Sequence, residues 1–123
     1  MMVKIDTREK FHVITIHDTF LAANMTEKMD KVVLPLLHDN VKNVIINMKD
    51  IKMIDSAAAA HLSHLQQTFN KARASFVVCE LQPDLKKVLD TAGILEHLNH
   101  TPTESEAMDI VQMEELEREF DES

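Results

Sequence analysis

Two adjacent side chains, Asp55 and Ser56, place a carboxylate and a hydroxyl where a strand gives way to a helix. The segment before them, residues 44–48, is an almost continuous apolar run, which is typical of a short strand buried on both faces. The segment after them, AAAAHLSHLQQTF, favours a helix. Serine often caps a helix because its hydroxyl accepts a hydrogen bond from an unpaired backbone N–H. We therefore predict that Ser56 caps a helix just past a central strand, where open α/β sheets usually carry function.

A hydroxyl that is exposed at the mouth of a helix could accept a phosphate group. A phosphate there would add negative charge at a helix N-terminus, where the helix dipole favours anions. We expect it to leave the domain folded and to change the surface around the helix start. Ser56 could instead serve only as a cap. The alanines at residues 57–60 also have two interpretations, as strong helix formers or as a small-residue surface that a partner backbone can approach.

Other patterns of reactive side chains are weaker. His61 and His64 are three residues apart, as are His97 and His100, and such pairs can bind zinc. No cysteine or carboxylate completes an obvious set, and seven histidines produce such spacings by chance. The sequence has no glycine-rich phosphate loop and no nucleophile with a base and an orienting group. We therefore expect no enzymatic activity, no metal and no cofactor.

Composition predicts an ordinary globular domain of one core. The chain has 123 residues, of which 45% are hydrophobic and 28% are charged. The single cysteine, Cys79, excludes an internal disulfide and fits a reducing cytoplasm. The N-terminus lacks the apolar core of a signal peptide, and no stretch approaches the about 18 apolar residues of a membrane span. We expect a cytoplasmic protein.

The negative charge is concentrated at the end of the chain. Residues 104–123 hold nine acids and one base, whereas residues 1–103 hold twelve of each. Because neither part offers a basic patch, binding to nucleic acid is not expected. We predict a domain over residues 1–113 and an acidic tail over residues 114–123, which is either a solvated, partly frayed end, a helix that packs or an arm that contacts a partner. The chain past about residue 115 should then be mobile and dispensable for folding.

The apolar periodicity predicts an α/β fold, a mixed central sheet of about five strands with helices packed on it. The predicted strands are residues 3–7, 11–17, 43–48, 75–81 and a short one near 98–101, of which the first two form an antiparallel hairpin. Asn24 or Thr26 should cap a helix that Pro35 bends or shortens. A further helix should begin at Pro83 and end at Gly93, and Thr103 should open the last. The helix after Ser56 should bury Ala60, Leu62, Leu65, Phe69 and Ala72.

An apolar strand, a short turn, an apolar–apolar–Asp–Ser step and a helix together resemble the STAS domain. That family includes the bacterial anti-sigma factor antagonists, and the order of elements matches over about residues 3–112. In those antagonists a partner kinase phosphorylates the serine after the aspartate. The resemblance therefore implies a phosphoprotein of transcription regulation, phosphorylated at Ser56. The residues it implies in partner contact are Asp55, Ser56, Ala57, Ala58 and Asn24.

Two functions are open to such a domain. One is a regulatory module that binds a kinase-like anti-sigma factor and is switched by phosphorylation of Ser56. The other is a constitutive STAS-like subunit of another assembly, such as a transporter, that is never phosphorylated. Ala57 and Ala58 stand where the family usually has glycine and a second serine close by, which favours the second function. The oligomeric state is not predicted.

Overall fold

The computed structural model describes residues 1–121 of the chain. The strands are β1 (Val3–Thr7), β2 (Phe11–Ile16), β3 (Phe20–Leu21), β4 (Asn43–Asn47), β5 (Met53–Ile54), β6 (Phe76–Cys79) and β7 (His100–Thr101). The helices are α1 (Thr26–Val33), α2 (Ser56–Lys71), α3 (Pro83–Thr91) and α4 (Glu104–Asp121). Short 3-10 turns lie at Ala23–Met25, Leu34–His38 and Leu95–His97.

The main sheet has five strands in the order β1-β2-β4-β6-β7. The pair β1–β2 is antiparallel, and every other pair in this sheet is parallel. The predicted mixed sheet and its N-terminal hairpin are therefore confirmed. A second sheet, in which β3 and β5 pair in parallel, was not predicted because two-residue strands are too short to show a periodicity.

The two faces of the main sheet support separate hydrophobic clusters. On one face Ile14, Ile16, Val44, Ile46, Phe76 and Val78 pack with the buried side chains of α1, α2 and α3. On the other face Val13, Ile45, Val77 and Cys79 pack against Ala107 and Val111 of α4. Because alternate side chains of a strand point to opposite faces, strands covered on both sides are apolar throughout. This explains the continuous apolar runs of β4 and β6.

Proline and glycine end two helices as predicted. Pro35 lies in the 3-10 turn that follows α1, so the helix is shortened there. Gly93 follows α3 with a φ of +74°. The N–H of Gly93 donates to the Asp90 carbonyl, and the N–H of Ile94 donates to the Leu89 carbonyl. These bonds form a Schellman motif, whose left-handed residue is usually glycine.

Two predictions about helices α1 and α2 are wrong. Neither Asn24 nor Thr26 caps α1, because the N-cap position is Met25 and the Thr26 hydroxyl donates to the Ala23 carbonyl instead. Ala60 of α2 and Ala72, which directly follows this helix, are exposed, and the buried side chains of α2 are those of Ala58, Ala59, Leu62, Leu65, Gln66 and Phe69. The buried face of α2 therefore includes Ala58 and Ala59 of the alanine run, and not Ala60 as predicted.

The end of the chain is bonded to the body. Helix α4 runs without a break from Glu104 to Asp121, across the boundary predicted at residue 113. The Asn43 amide donates to Glu115 Oε2 at 2.9 Å, and Arg118 donates to Asn43 Oδ1 at 3.0 Å and to Ser75 Oγ at 3.1 Å. The described part of the tail therefore forms a packed helix, which was one of its predicted forms. That residues past about 115 are dispensable for folding stays a prediction. The last two residues of the predicted tail, 122 and 123, lie outside the described part of the chain.

Of the helices within residues 1–121, none combines the length and the apolar character that crossing a bilayer requires.

Candidate functional site

Asp55 organises the start of α2. Its Oδ1 accepts a hydrogen bond from the Ala58 N–H at 2.9 Å, and its Oδ2 accepts one from the Ala23 N–H at 2.7 Å. Its own N–H donates to the Leu21 carbonyl at 3.1 Å. One carboxylate thus caps α2 and also fixes the turn that follows β3. The two chain segments, more than thirty residues apart in sequence, meet at this side chain.

Helix α2 begins at Ser56, where the sequence predicted a helix start, but Ser56 is the first residue of the helix and not its cap, so the predicted capping role is wrong. Both side chains are good caps, but only Asp55 has the extended backbone of an N-cap residue, with φ −86° and ψ 169°. Ser56 is exposed. Because Asp55 supplies the cap, the fold of the helix start does not depend on the Ser56 hydroxyl.

The other predicted contact residues separate into exposed and buried positions. Asn24, in the 3-10 turn held by Asp55, is exposed, and so are Ala57 and Ala60. Ala58 is fully buried, because it lies on the face of α2 that packs on the sheet. Its side chain is therefore removed from the surface that a partner could contact. Of the predicted contact residues, Asn24, Ser56 and Ala57 are therefore the exposed ones.

Two large apolar side chains lie next to this region and were missed in the sequence. Phe20 of β3 and Met53 of β5 are cross-strand neighbours, and they are 47% and 63% exposed. The next residues, Leu21 and Ile54, are buried and half-buried, and Asp55 follows directly. One sequence signal could have revealed them. Each of two short segments carries a large apolar residue, and one segment precedes the turn while the other precedes the helix start. We call Phe20, Met53, Asn24, Ser56 and Ala57 the α2-start surface.

A histidine–carboxylate pair joins the two helices behind this surface. His61 Nε2 of α2 lies 2.5 Å from Asp30 Oδ1 of α1, and the His61 and His64 rings are 5.8 Å apart. Among residues 1–121, no three His, Cys, Asp or Glu side chains are grouped closely enough to hold a metal ion. The His61 ring contributes a helix–helix contact.

A polar cleft at the carboxyl ends of the parallel strands serves to hold α4. Glu80 Oε2 accepts a hydrogen bond from the Glu104 N–H at 2.7 Å, and the Asn47 amide donates to Glu104 Oε1 at 3.0 Å. Burial, with help from Glu104 and Glu80, raises the pKa of the Cys79 thiol to about 12. A thiol with that pKa stays protonated at neutral pH and is a poor nucleophile.

Comparison with known proteins identifies the domain. The family model described as the STAS domain matches residues 2–107. A solved structure of an RsbS variant from Moorella thermoacetica is 16% identical, with a TM-score of 0.77, over 96% of this chain and 99% of that one. The anti-sigma factor antagonist SpoIIAA in its unphosphorylated form is 18% identical, with a TM-score of 0.71, over 90% of this chain and 96% of that one.

A third similar structure belongs to a much longer chain. The murine anion transporter Slc26a9 is 15% identical with a TM-score of 0.71, over 84% of this chain but 18% of that one. At these identities the likeness to solved structures concerns the fold. The match of the family model covers most of the sequence and confirms the resemblance first drawn from the Asp–Ser step. The chain belongs to the STAS domain family.

Proposed function

We propose that this protein is a regulatory binding module that docks a kinase-like anti-sigma factor through the α2-start surface and is switched by phosphorylation of Ser56. The observation that carries the proposal is an exposed serine on the first turn of α2 whose capping bond is made by another residue. A kinase can modify such a hydroxyl without removing a bond on which the fold depends. The protein has no catalytic step of its own in this proposal and acts in the cytoplasm.

The local electrostatics fit a switch that acts on binding and leaves the fold intact. A phosphate at Ser56 would sit at the positive end of the α2 dipole, which favours an anion. It would also place a second negative group beside the Asp55 carboxylate, which already accepts two N–H bonds. A partner fitted to the neutral hydroxyl would then meet two like charges, and such a juxtaposition in a desolvated interface costs several kcal/mol.

The apolar part of the α2-start surface supplies affinity. Phe20 and Met53 present large side chains that a partner can cover, and exposed aromatic and methionine side chains are enriched in interfaces. Ala57 and Asn24 are short enough to let a partner backbone come close. The similarity to SpoIIAA, an anti-sigma factor antagonist whose structure was solved in its unphosphorylated form, supports both the class of partner and the type of switch.

The test begins with the protein isolated from its own cells. Mass spectrometry should find a fraction that carries phosphate on Ser56. The partner should then be captured with the unphosphorylated form and purified. Titration calorimetry should give similar affinities for Ser56 and Ser56→Ala, and for Ser56→Asp a dissociation constant raised by about a hundredfold, as expected for a penalty of about 3 kcal/mol.

A matched control is available on another helix. Ser105 is exposed in the first turn of α4, so Ser105→Asp adds the same charge to the same kind of position. It should leave the affinity unchanged. Equal affinity for the Ser56, Ser56→Ala and Ser56→Asp forms, with no phosphate found on Ser56, would contradict the switch.

The alternative is a constitutive subunit of a larger assembly that is never phosphorylated at Ser56. The similarity to part of a murine anion transporter chain is the observation that favours it. In that case the captured partner would be a subunit of a transporter or another complex. Phe20→Ala and Met53→Ala would weaken its binding, and Ser56→Asp would not.

A further inference from the structure

Strand β1 is one of the two outer strands of the main sheet. It pairs only with β2, and no other strand within residues 1–121 pairs with its open edge. The His17 N–H donates to the Met2 carbonyl, and the Arg8 N–H donates to the Phe11 carbonyl. Because hydrogen-bonded pairs alternate along an antiparallel ladder, the even-numbered residues of β1 bond to β2. The backbone N–H and C=O groups of Val3, Ile5 and Thr7 therefore point towards the open edge.

We propose that this edge pairs with the same edge of a second copy of the chain, antiparallel, about a two-fold axis at Ile5. In this register Ile5 faces Ile5 of the second copy, and Val3 faces Thr7. These are hydrogen-bonded pairs, because their backbone groups are the ones that point outward. The two five-stranded sheets then continue as one across the axis.

The charges of β1 fit this register. Lys4 lies opposite Asp6 of the second copy, and Asp6 lies opposite its Lys4, so the two-fold axis creates two pairs of opposite charge. An axis at Lys4 or at Asp6 would instead place like charges directly opposite each other. Charged side chains commonly protect an edge strand from pairing, but the alternation Lys–Ile–Asp is complementary to itself when it is reversed.

The apolar side chain at the axis also gains from pairing. Ile5 is 46% exposed in the single chain, although it occupies the middle of a strand. Its side chain lies on the face opposite to Lys4 and Asp6, because side chains alternate along a strand. Pairing at this register brings the two Ile5 side chains together across the axis. Asp6 forms an ion pair with Arg8 at 2.9 Å in the single chain, and its side chain remains 47% exposed and therefore accessible to the partner lysine.

Sedimentation equilibrium over a range of concentrations tests the pairing. The wild-type protein should form dimers reversibly. Lys4→Glu replaces two opposite-charge pairs with two like-charge pairs and should raise the dimer dissociation constant about tenfold or more. Lys4→Asp combined with Asp6→Lys restores opposite charges and should restore the dimer. Lys87→Glu, at an exposed position on α3, is the control for net charge and should have no effect.

Cysteine crosslinking fixes the register independently. Residues 4 and 6 of the two copies form a non-hydrogen-bonded pair with Cα atoms about 4.5 Å apart, which a disulfide can span. An oxidised mixture of Lys4→Cys and Asp6→Cys chains should give the mixed dimer, and either variant alone should not, because its own cysteines are about 7–8 Å apart. The natural cysteine, Cys79, is buried and has a raised pKa, so it should not form a disulfide in this experiment. A wild-type protein that stays monomeric at its highest soluble concentration, or dimers insensitive to Lys4→Glu without the mixed crosslink, would overturn the proposal.

Discussion

At the scale of the residue, Asp55 and Ser56 have separate roles, and the proposed phosphorylation switch depends on that separation. The carboxylate of Asp55 satisfies two backbone N–H groups from different segments, while Ser56 is exposed at the next position. A modified residue that also carried the cap would couple phosphorylation to unfolding of the helix start. Here the two roles belong to different side chains.

Substitution at the two positions should therefore have unequal effects on stability. Asp55→Ala leaves the Ala58 and Ala23 N–H groups without their acceptor and should lower the free energy of unfolding by about 2 kcal/mol. Ser56→Ala should change it by less than about 0.5 kcal/mol, as for an exposed position. Urea unfolding of the two variants and of Asp55→Asn, which keeps one acceptor, measures the difference. A larger loss at Ser56 than at Asp55 would show that the hydroxyl contributes to the cap.

At the scale of the element, two helices end in the same way with different residues. Arg73 follows α2 with a φ of +56°, its N–H donates to the Asn70 carbonyl, and the Ala74 N–H donates to the Phe69 carbonyl. This is the Schellman geometry that Gly93 adopts after α3. The left-handed conformation is favourable for glycine and strained for arginine.

Substitutions at Gly93 and at Arg73 should change the free energy of unfolding in opposite directions. Gly93→Ala should cost about 1 kcal/mol from backbone strain alone, since a Cβ there meets no atom within 4 Å. Arg73→Gly should stabilise the protein by somewhat less than about 1 kcal/mol, because glycine also gains freedom in the unfolded chain. Thermal unfolding of both variants measures whether each substitution lowers or raises the melting temperature. A neutral Gly93→Ala would show that the turn after α3 relaxes out of the left-handed region.

The hydrogen bonds that hold α4 to the body of the domain predict how stability depends on pH. The hydrogen bond from Asn43, opposed by burial and supported by Arg118, lowers the pKa of Glu115 below its ordinary value of 4.5. A group whose pKa is depressed by folding contributes stability above the unfolded pKa and loses it as the pH falls through the folded one. The stability lost in Glu115→Gln should therefore be largest near neutral pH and shrink below about pH 4.

Unfolding experiments across that pH range compare wild type with Glu115→Gln. Glu119→Gln, at an exposed position on the same helix, is the matched control and should show a smaller, flatter difference. If the difference in the free energy of unfolding between wild type and Glu115→Gln did not change with pH, the stability contributed by Glu115 would come from its packing and not from its charge.

At the scale of the whole molecule, the sequence predicted what depends on periodicity and missed what depends on distant contacts. The alternation in β1, the apolar runs of β4 and β6, Pro35 and Gly93 each express a local rule, and each appears where predicted. The β3–β5 sheet, the Asp55–Ala23 bond and the Arg118–Ser75 bond join segments about thirty to forty residues apart. No local pattern encodes such pairs, so the apolar part of the α2-start surface and the anchored end of α4 came only from the structure.

At the scale of the whole molecule, chains truncated within or before α4 measure how much of this helix the domain needs in order to fold. A chain that ends at Met113 keeps Ala107 and Val111 against the sheet, so it should fold. It loses Glu115 and Arg118, the partners of Asn43 and Ser75, and its free energy of unfolding should fall by about 1–3 kcal/mol. A chain that ends at Thr103 leaves Val13, Ile45 and Val77 uncovered and should be unfolded or aggregated. Urea midpoints and binding of a hydrophobic dye, with a chain ending at Asp121 as the reference, measure the series. If the chain ending at Met113 were as stable as the reference, residues 114–121 would be a dispensable tail and the bonds to Asn43 and Ser75 would carry no stability.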